Sequence, residues 1–160
     1  KYMKKDDLKM LEALLSDTPQ RVSLYANASA YLNSVLADVS WVGFYLRDDA
    51  GILYLGPFQG NTACIRIEPG HGVCGVSFEK NETVRVDDVS TFPGYISCDA
   101  AARSEIVIPI RDESGTPIAV LDIDSNSLNR FSDDHLEEIE LLESAAKVIE
   151  KCLGGVGSRK

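Results

Sequence analysis

Two aspartates lie two residues apart inside an apolar run, Val120-Leu121-Asp122-Ile123-Asp124-Ser125. Aspartate is depleted in strands, and residues at i and i+2 of a strand share one face. Such a pair either decorates a solvent-facing surface or forms a paired-carboxylate site for a cation or a proton. A third carboxylate, Glu105, opens the neighbouring apolar segment that ends at Ile110. If the two segments pair antiparallel, partners whose numbers add to 227 set Glu105 beside Asp122, and partners adding to 229 set it beside Asp124. An even total puts it on the opposite face, because a slip of one residue exchanges the faces. The intervening turn allows either parity. Three carboxylates on one face repel one another unless something positive lies among them or a proton is retained. An α-ammonium group meets that need, and so does a divalent metal.

Thiols are the second chemistry-bearing set: Cys64, Cys74, Cys98 and Cys152. A domain of this length needs no disulfide staples, and in a reducing compartment such thiols are free, metal-bound or catalytic. Cys98 comes late in a long polar loop, where a thiol can be exposed and can move. Cys74 follows Gly70-His71-Gly72-Val73 at a probable helix start, where backbone amides could lower its pKa. Cys64 sits in the strand-like Ala63-Cys64-Ile65. Cys152, near the end of the apolar last helix, reads as packing. Buried, unrelated cysteines would give the same list. Cys64, His71, Cys74 and Cys98 could form a three-Cys, one-His zinc set, but no Cys-x-x-Cys knuckle is present. His71 stands three residues from Cys74 and reads as a loop residue more readily than as an activating base. His135, in the first turn of the last helix, reads as surface. Trp41 reads as core or as a pocket wall for a small apolar group such as a methyl.

Positioning these groups is the task of the surrounding elements. Leu8, Leu11 and Leu15 have helical spacing within residues 5–16. Thr18-Pro19 reads as an N-cap and first-turn proline for a second helix, with Tyr25, Ala28, Leu32 and Val35 on one face. From Ser40 the period becomes two: Trp41, Gly43 and Tyr45 share one strand face, and Val42, Phe44 and Leu46 the other. Asp48-Asp49-Ala50-Gly51 is a hairpin turn leading into a strand over 52–55, and 61–67 suits a third strand. A short helix over 73–80, a strand at 84–86, a polar loop over 87–103 and strands over 104–110 and 117–124 follow. A loop of that length inside a compact domain usually has a job. Ser132 caps the last helix, Gly154-Gly155 ends it, and Leu136, Ile139, Leu142, Ala146, Ile149 and Leu153 form its apolar face. Helices, then hairpin-linked strands, then a helix imply an α+β domain with an antiparallel sheet.

The 160 residues suit one domain, and 44% apolar with 26% charged residues suits a folded globule. A net charge of −9 argues against nucleic acid and against anionic membranes. No apolar run approaches the roughly 20 residues of a membrane span. The charged start at Lys1 has no apolar stretch behind it like that of a secretory signal, so a cytoplasmic location is the expectation.

Gly56-Pro57-Phe58-Gln59-Gly60, Ala63-Cys64, Gly72-Val73-Cys74-Gly75, Val86-Asp87-Asp88-Val89, Phe92-Pro93-Gly94, Cys98-Asp99, Ser104-Glu105-Ile106-Val107 and Leu121-Asp122-Ile123-Asp124-Ser125 together resemble the signature of the free methionine-(R)-sulfoxide reductases, which are GAF-domain enzymes. The resemblance runs from about Asn27 to Leu153, with three family cysteines in order. It implies a single GAF domain over 1–160, core about 20–153, with about six antiparallel strands flanked by N- and C-terminal helices. It also implies reduction of free methionine (R)-sulfoxide, with Cys98 as catalytic, Cys64 as resolving and Cys74 as assisting cysteine. Trp41, Tyr45, Glu105, Asp122 and Asp124 match the pocket for the free amino acid. No metal or organic cofactor is implied; thioredoxin or a similar dithiol is the implied reductant, and GAF domains commonly pair as homodimers. Tyr95-Ile96-Ser97 replaces a frequent His-Ile-Ala before the catalytic cysteine, and His71 replaces a common Lys or Arg. Both departures bear on thiol acidity or loop closure.

Overall fold

Apolar stripes at helical spacing build the first layer. The computed structural model describes residues 2–158. In it α1 spans Lys5–Leu15 and α2 spans Arg21–Val35. Leu11 and Leu15 of α1 and Leu24, Ala28 and Leu32 of α2 are wholly buried. Asp7 caps α1 by accepting a hydrogen bond from the Lys4 N–H at 2.7 Å. Pro19 does not occupy the first turn of α2, contrary to the cap expectation. Asp17 takes a left-handed φ of 62°, and the chain reaches the helix through an extended Gln20, whose side chain makes no capping bond.

Six strands follow: β1 (Trp41–Arg47), β2 (Leu53–Gln59), β3 (Arg66–Ile67), β4 (Val84–Val86), β5 (Ser104–Arg111) and β6 (Pro117–Ser125). They form one antiparallel sheet in the order β3-β2-β1-β6-β5-β4. The β1–β2 turn works as its composition implies: the Asp48 carboxylate accepts from the N–H groups of Ala50 and Ile52, and Gly51 supplies a φ of 84°. The third strand is shorter than expected. Only Arg66 and Ile67 pair, with Tyr54 and Leu53, so Cys64 lies in the irregular link before it.

The sheet's two faces have different partners. Val42, Phe44, Ile106, Ile108, Leu121 and Ile123 pack against α1, α2 and the last helix, α4 (Leu136–Ser158). Trp41, Tyr45, Val107 and Val120 face the other way, toward α3 (Gly72–Lys80) and the loop over 87–103. That loop is tied at its base by the Val89 N–H donating to the Arg103 carbonyl at 2.9 Å, and a 3-10 turn over Val89–Thr91 anchors buried Val89.

Two expectations for α4 need correction. Leu136 is 49% exposed and lies off the apolar face, whereas Ile139, Leu142, Ala146, Ile149 and Leu153 are buried. The helix also runs through Gly154-Gly155, because Leu153 and Val156 still pack into the core. Their burial outweighs a glycine penalty of about 1 kcal/mol per residue. Ser132 does act as a cap, accepting from the Asp134 N–H, but of a 3-10 turn over Asp133–His135 that leads into α4. No helix among the described residues is long and apolar enough to cross a membrane.

Candidate functional site

Strand alternation and register assemble the acidic cluster. β6 directs Asp122 and Asp124 to the α3 side of the sheet, and β1 sets Gly43 opposite Asp122 and Trp41 opposite Asp124. On the other flank Glu105 pairs with Asp124 and Val107 with Asp122. The register has odd parity, so all three carboxylates share one face, and each is less than a tenth exposed. They do not form the solvent-facing surface that was the alternative.

Enclosing three carboxyls keeps protons on them. Burial, followed by the charges of Asp122 and Asp124, pushes Glu105 well above the usual carboxylate range. Burial and then Asp122 do the same to Asp124. Asp122 is also raised by burial, but hydrogen bonds from Glu105, Cys74 and Asp124 oppose the shift, making it the acceptor of the group. Oδ1 of Asp122 and Oδ1 of Asp124 are sealed from solvent and receive no hydrogen bond. A buried acceptor without a donor is costly, so the cluster has an unmet demand for positive charge or donors.

The same cavity is walled by Trp41, Tyr45, Tyr95, Cys74 and Cys98, with His71 at an exposed position on its rim. Trp41 stacks on Phe58 at 5.1 Å between centroids, and its Nε1 donates to the Asn61 carbonyl at 3.0 Å. Gly43 makes this stack possible: a Cβ there would stand 2.3 Å from the Phe58 Cβ and 2.7 Å from the Trp41 ring. The Tyr45 hydroxyl donates to the Cys64 carbonyl at 2.9 Å. A phenol at the cavity wall therefore also fixes the irregular link that carries a cysteine. A lone glycine inside a strand was the available signal for the first contact. No local signal announced the second.

Cys64 and Cys98 are joined by a disulfide, with Cα atoms 5.2 Å apart across 34 residues of sequence. With these two bonded to each other, the Cys64/His71/Cys74/Cys98 zinc set does not form. Cys74, in the first turn of α3, is 4% exposed. Its thiol is pushed well above its usual range, first by burial and then by Asp122. This overturns the expectation of an acidified thiol, because nearby anions and desolvation outweigh the helix amides. Its sulfur and one oxygen each of Glu105 and Asp122 lie within 4.8 Å of one another, a set that could hold a metal ion. Cys152 packs in the helix-side core, and half-buried His135 meets the Tyr2 ring in a tilted contact at 5.5 Å between centroids. Tyr95 faces the acidic cluster, and burial followed by Glu105 raises its phenol. The cavity measures about 30 Å³, room for roughly two water molecules.

Residues 23–149 match the GAF-domain family model. The chain is 48% identical to protein YtsP of Bacillus subtilis, covering 91% of this chain and 88% of that one. It is 43% identical to the free methionine-R-sulfoxide reductase of Escherichia coli, covering 92% and 87%. Its fold is similar to that of the free methionine-R-sulfoxide reductase from Neisseria meningitidis in complex with its substrate, with a TM-score of 0.89, 38% identity and coverage of 98% and 91%.

Proposed function

The chain belongs to the free methionine-(R)-sulfoxide reductases, a GAF-domain family, and we propose that it reduces free L-methionine (R)-sulfoxide to L-methionine with Cys98 as the nucleophile. One observation carries the reading. Cys98, disulfide-bonded to Cys64, borders the same cavity as three buried carboxyls, two of which, Asp122 and Asp124, have an unmet acceptor. A free amino acid brings an ammonium group that answers those acceptors; a peptide-bound methionine does not. Trp41 and Tyr45 wall the same space and offer an apolar surface to the S-methyl end.

The chemistry follows from the groups present. The Cys98 thiolate forms a bond to the electrophilic sulfoxide sulfur while a retained carboxyl proton, from Glu105 or Asp124, passes to the oxygen. The hydroxyl ends on Cys98 as a sulfenic acid and methionine leaves as the thioether, so the substrate is reduced by the two electrons that Cys98 loses. Cys64 then attacks the sulfenic sulfur, releasing water and forming the disulfide. Cys74 is the reserve thiol for this step. Thioredoxin or a similar dithiol then reduces the disulfide and takes up the oxidation, which returns the Cys98 thiol for the next turnover. Such recycling suits a reducing, cytoplasmic compartment.

The decisive experiment is a single turnover. Fully reduced protein is mixed with free L-methionine (R)-sulfoxide, and methionine and remaining thiols are counted. About one methionine per chain with about two thiols lost, and an inert (S) epimer, is the expected result. Absence of methionine from folded, reduced protein would leave a ligand-binding or redox-sensing GAF module.

A further inference from the structure

The proposed reduction uses only part of the donor set at the floor of the cavity. The Cys74 sulfur and one oxygen each of Glu105 and Asp122 lie within 4.8 Å of one another, and all three side chains are more than nine-tenths buried. Beside them, Oδ1 of Asp122 and Oδ1 of Asp124 lack any donor. An ammonium group answers the oxygens but gains little from a sulfur. A borderline-soft dication gains from both, since zinc binds thiolate at about 2.3 Å and carboxylate oxygen at about 2.0–2.2 Å. Ligand atoms around a tetrahedral ion at those lengths stand roughly 3.3–3.8 Å apart, so shifts of about an ångström gather the three. The cavity of about 30 Å³ accepts such an ion with a water ligand.

We propose that Cys74, Glu105 and Asp122, with Asp124 supplying a further oxygen, form a binding site for one zinc-type divalent cation that overlaps the substrate's ammonium subsite, so that the ion and free methionine sulfoxide exclude each other. The Cys74 thiol gives its proton to solvent on ligation, and no oxidation state changes. The ion is an inhibitor of the reductase, not a participant in its chemistry. Magnesium and calcium prefer larger all-oxygen shells, so a sulfur-bearing, confined site discriminates against them. Only the exclusion clause rests on the reductase reading; metal uptake does not.

The disulfide form is the clean material for the test, because Cys64 and Cys98 are bonded to each other and Cys74 stays outside that bond. Titration with cobalt(II) is expected to give a near-ultraviolet sulfur-to-cobalt band that saturates at about one ion per chain and is bleached by zinc but not by equal magnesium. Cys74→Ser should abolish the band, and Asp122→Asn should weaken uptake by more than about tenfold. Cys152→Ser, on the opposite side of the sheet, should leave the band unchanged. Circular dichroism verifies folding of each variant. No band in folded protein, a band that survives Cys74→Ser, or equal competition by magnesium overturns the site. For the exclusion clause, a reduced Cys64→Ser, Cys98→Ser protein is loaded with cobalt and titrated with free L-methionine (R)-sulfoxide. Loss of the band supports the shared subsite. Its persistence with sulfoxide demonstrably bound refutes that clause, whereas failure of sulfoxide to bind metal-free protein refutes the reductase reading and leaves the metal site standing.

Discussion

Replacing Glu105 by glutamine tests whether the acidic cluster depends on retained protons. Glu105 is 6% exposed, and burial with the charges of Asp122 and Asp124 raises its carboxyl well above 4.5, its ordinary value. The unfolded chain loses this proton near the ordinary value, while the folded chain keeps it to higher pH. Between the two values the folded state binds more protons, so stability falls as pH rises, by about 1.4 kcal/mol per pH unit for each such proton. In a domain of this size about 1 kcal/mol moves the melting temperature by roughly 2–4 °C, so Glu105 alone imposes a decline of roughly 3–6 °C per pH unit inside that window. Glutamine keeps the shape and a donor but has no proton to lose. The melting temperature of Glu105→Gln should therefore descend less steeply than the parent's. The gap opens above pH 4.5 and widens toward the raised folded value, beyond which it stays constant. The assay is thermal unfolding followed by circular dichroism on the disulfide form of both proteins, from about pH 4 to about pH 8. The same variant should lose sulfoxide reduction, so it gains neutral-pH stability at the expense of activity. Parallel melting curves, or a variant increasingly destabilised toward neutral pH, would refute the retained-proton argument.

Other substitutions probe the remaining parts of the site. Cys98→Ser should release no methionine, and substantial residual turnover would sink the assignment of the nucleophile. Cys64→Ser should release about one methionine per chain and then stall, since the sulfenic acid lacks its first partner; sustained rapid turnover with thioredoxin would count against it. Gly43→Ala places a methyl 2.3 Å from the Phe58 Cβ, and overpacking of this kind costs about 1–3 kcal/mol. Urea unfolding should report that loss, and a raised KM should report the displaced Trp41; an unchanged midpoint would show that the contact is relieved elsewhere. Tyr45→Phe removes the 2.9 Å hydrogen bond to the Cys64 carbonyl and should cost about 0.5–1.5 kcal/mol. The methionine burst should survive in this variant while disulfide formation slows, and closure at the parental rate would exclude a positioning role for the phenol.

Much of the architecture was legible in local spacing. Alternation placed Trp41, Gly43 and Tyr45 on one face, and Asp122 with Asp124 on one face, because side-chain direction in a strand depends only on neighbours along the chain. The Leu11 and Leu15 stripe and the Ile139–Leu153 stripe marked buried helix faces for the same reason, and the motif set pointed to the family. Quantities that sum over distant parts of the chain were not legible. The parity that brings Glu105 to Asp122 and Asp124 is a property of pairing between two strands, and the turn joining them permits either outcome. Whether α4 stops at Gly154 is decided by what Val156 meets across the core, which no glycine rule contains. The acidity of Cys74 was misread from its helix-start position, because the governing terms are burial and an aspartate 48 residues away in sequence. Residue types and spacing determined which chemistry was available; the strand register and the packing of α3 over the sheet decided which groups share a cavity and which of them keep their protons, since both depend on contacts between segments that the chain itself holds far apart.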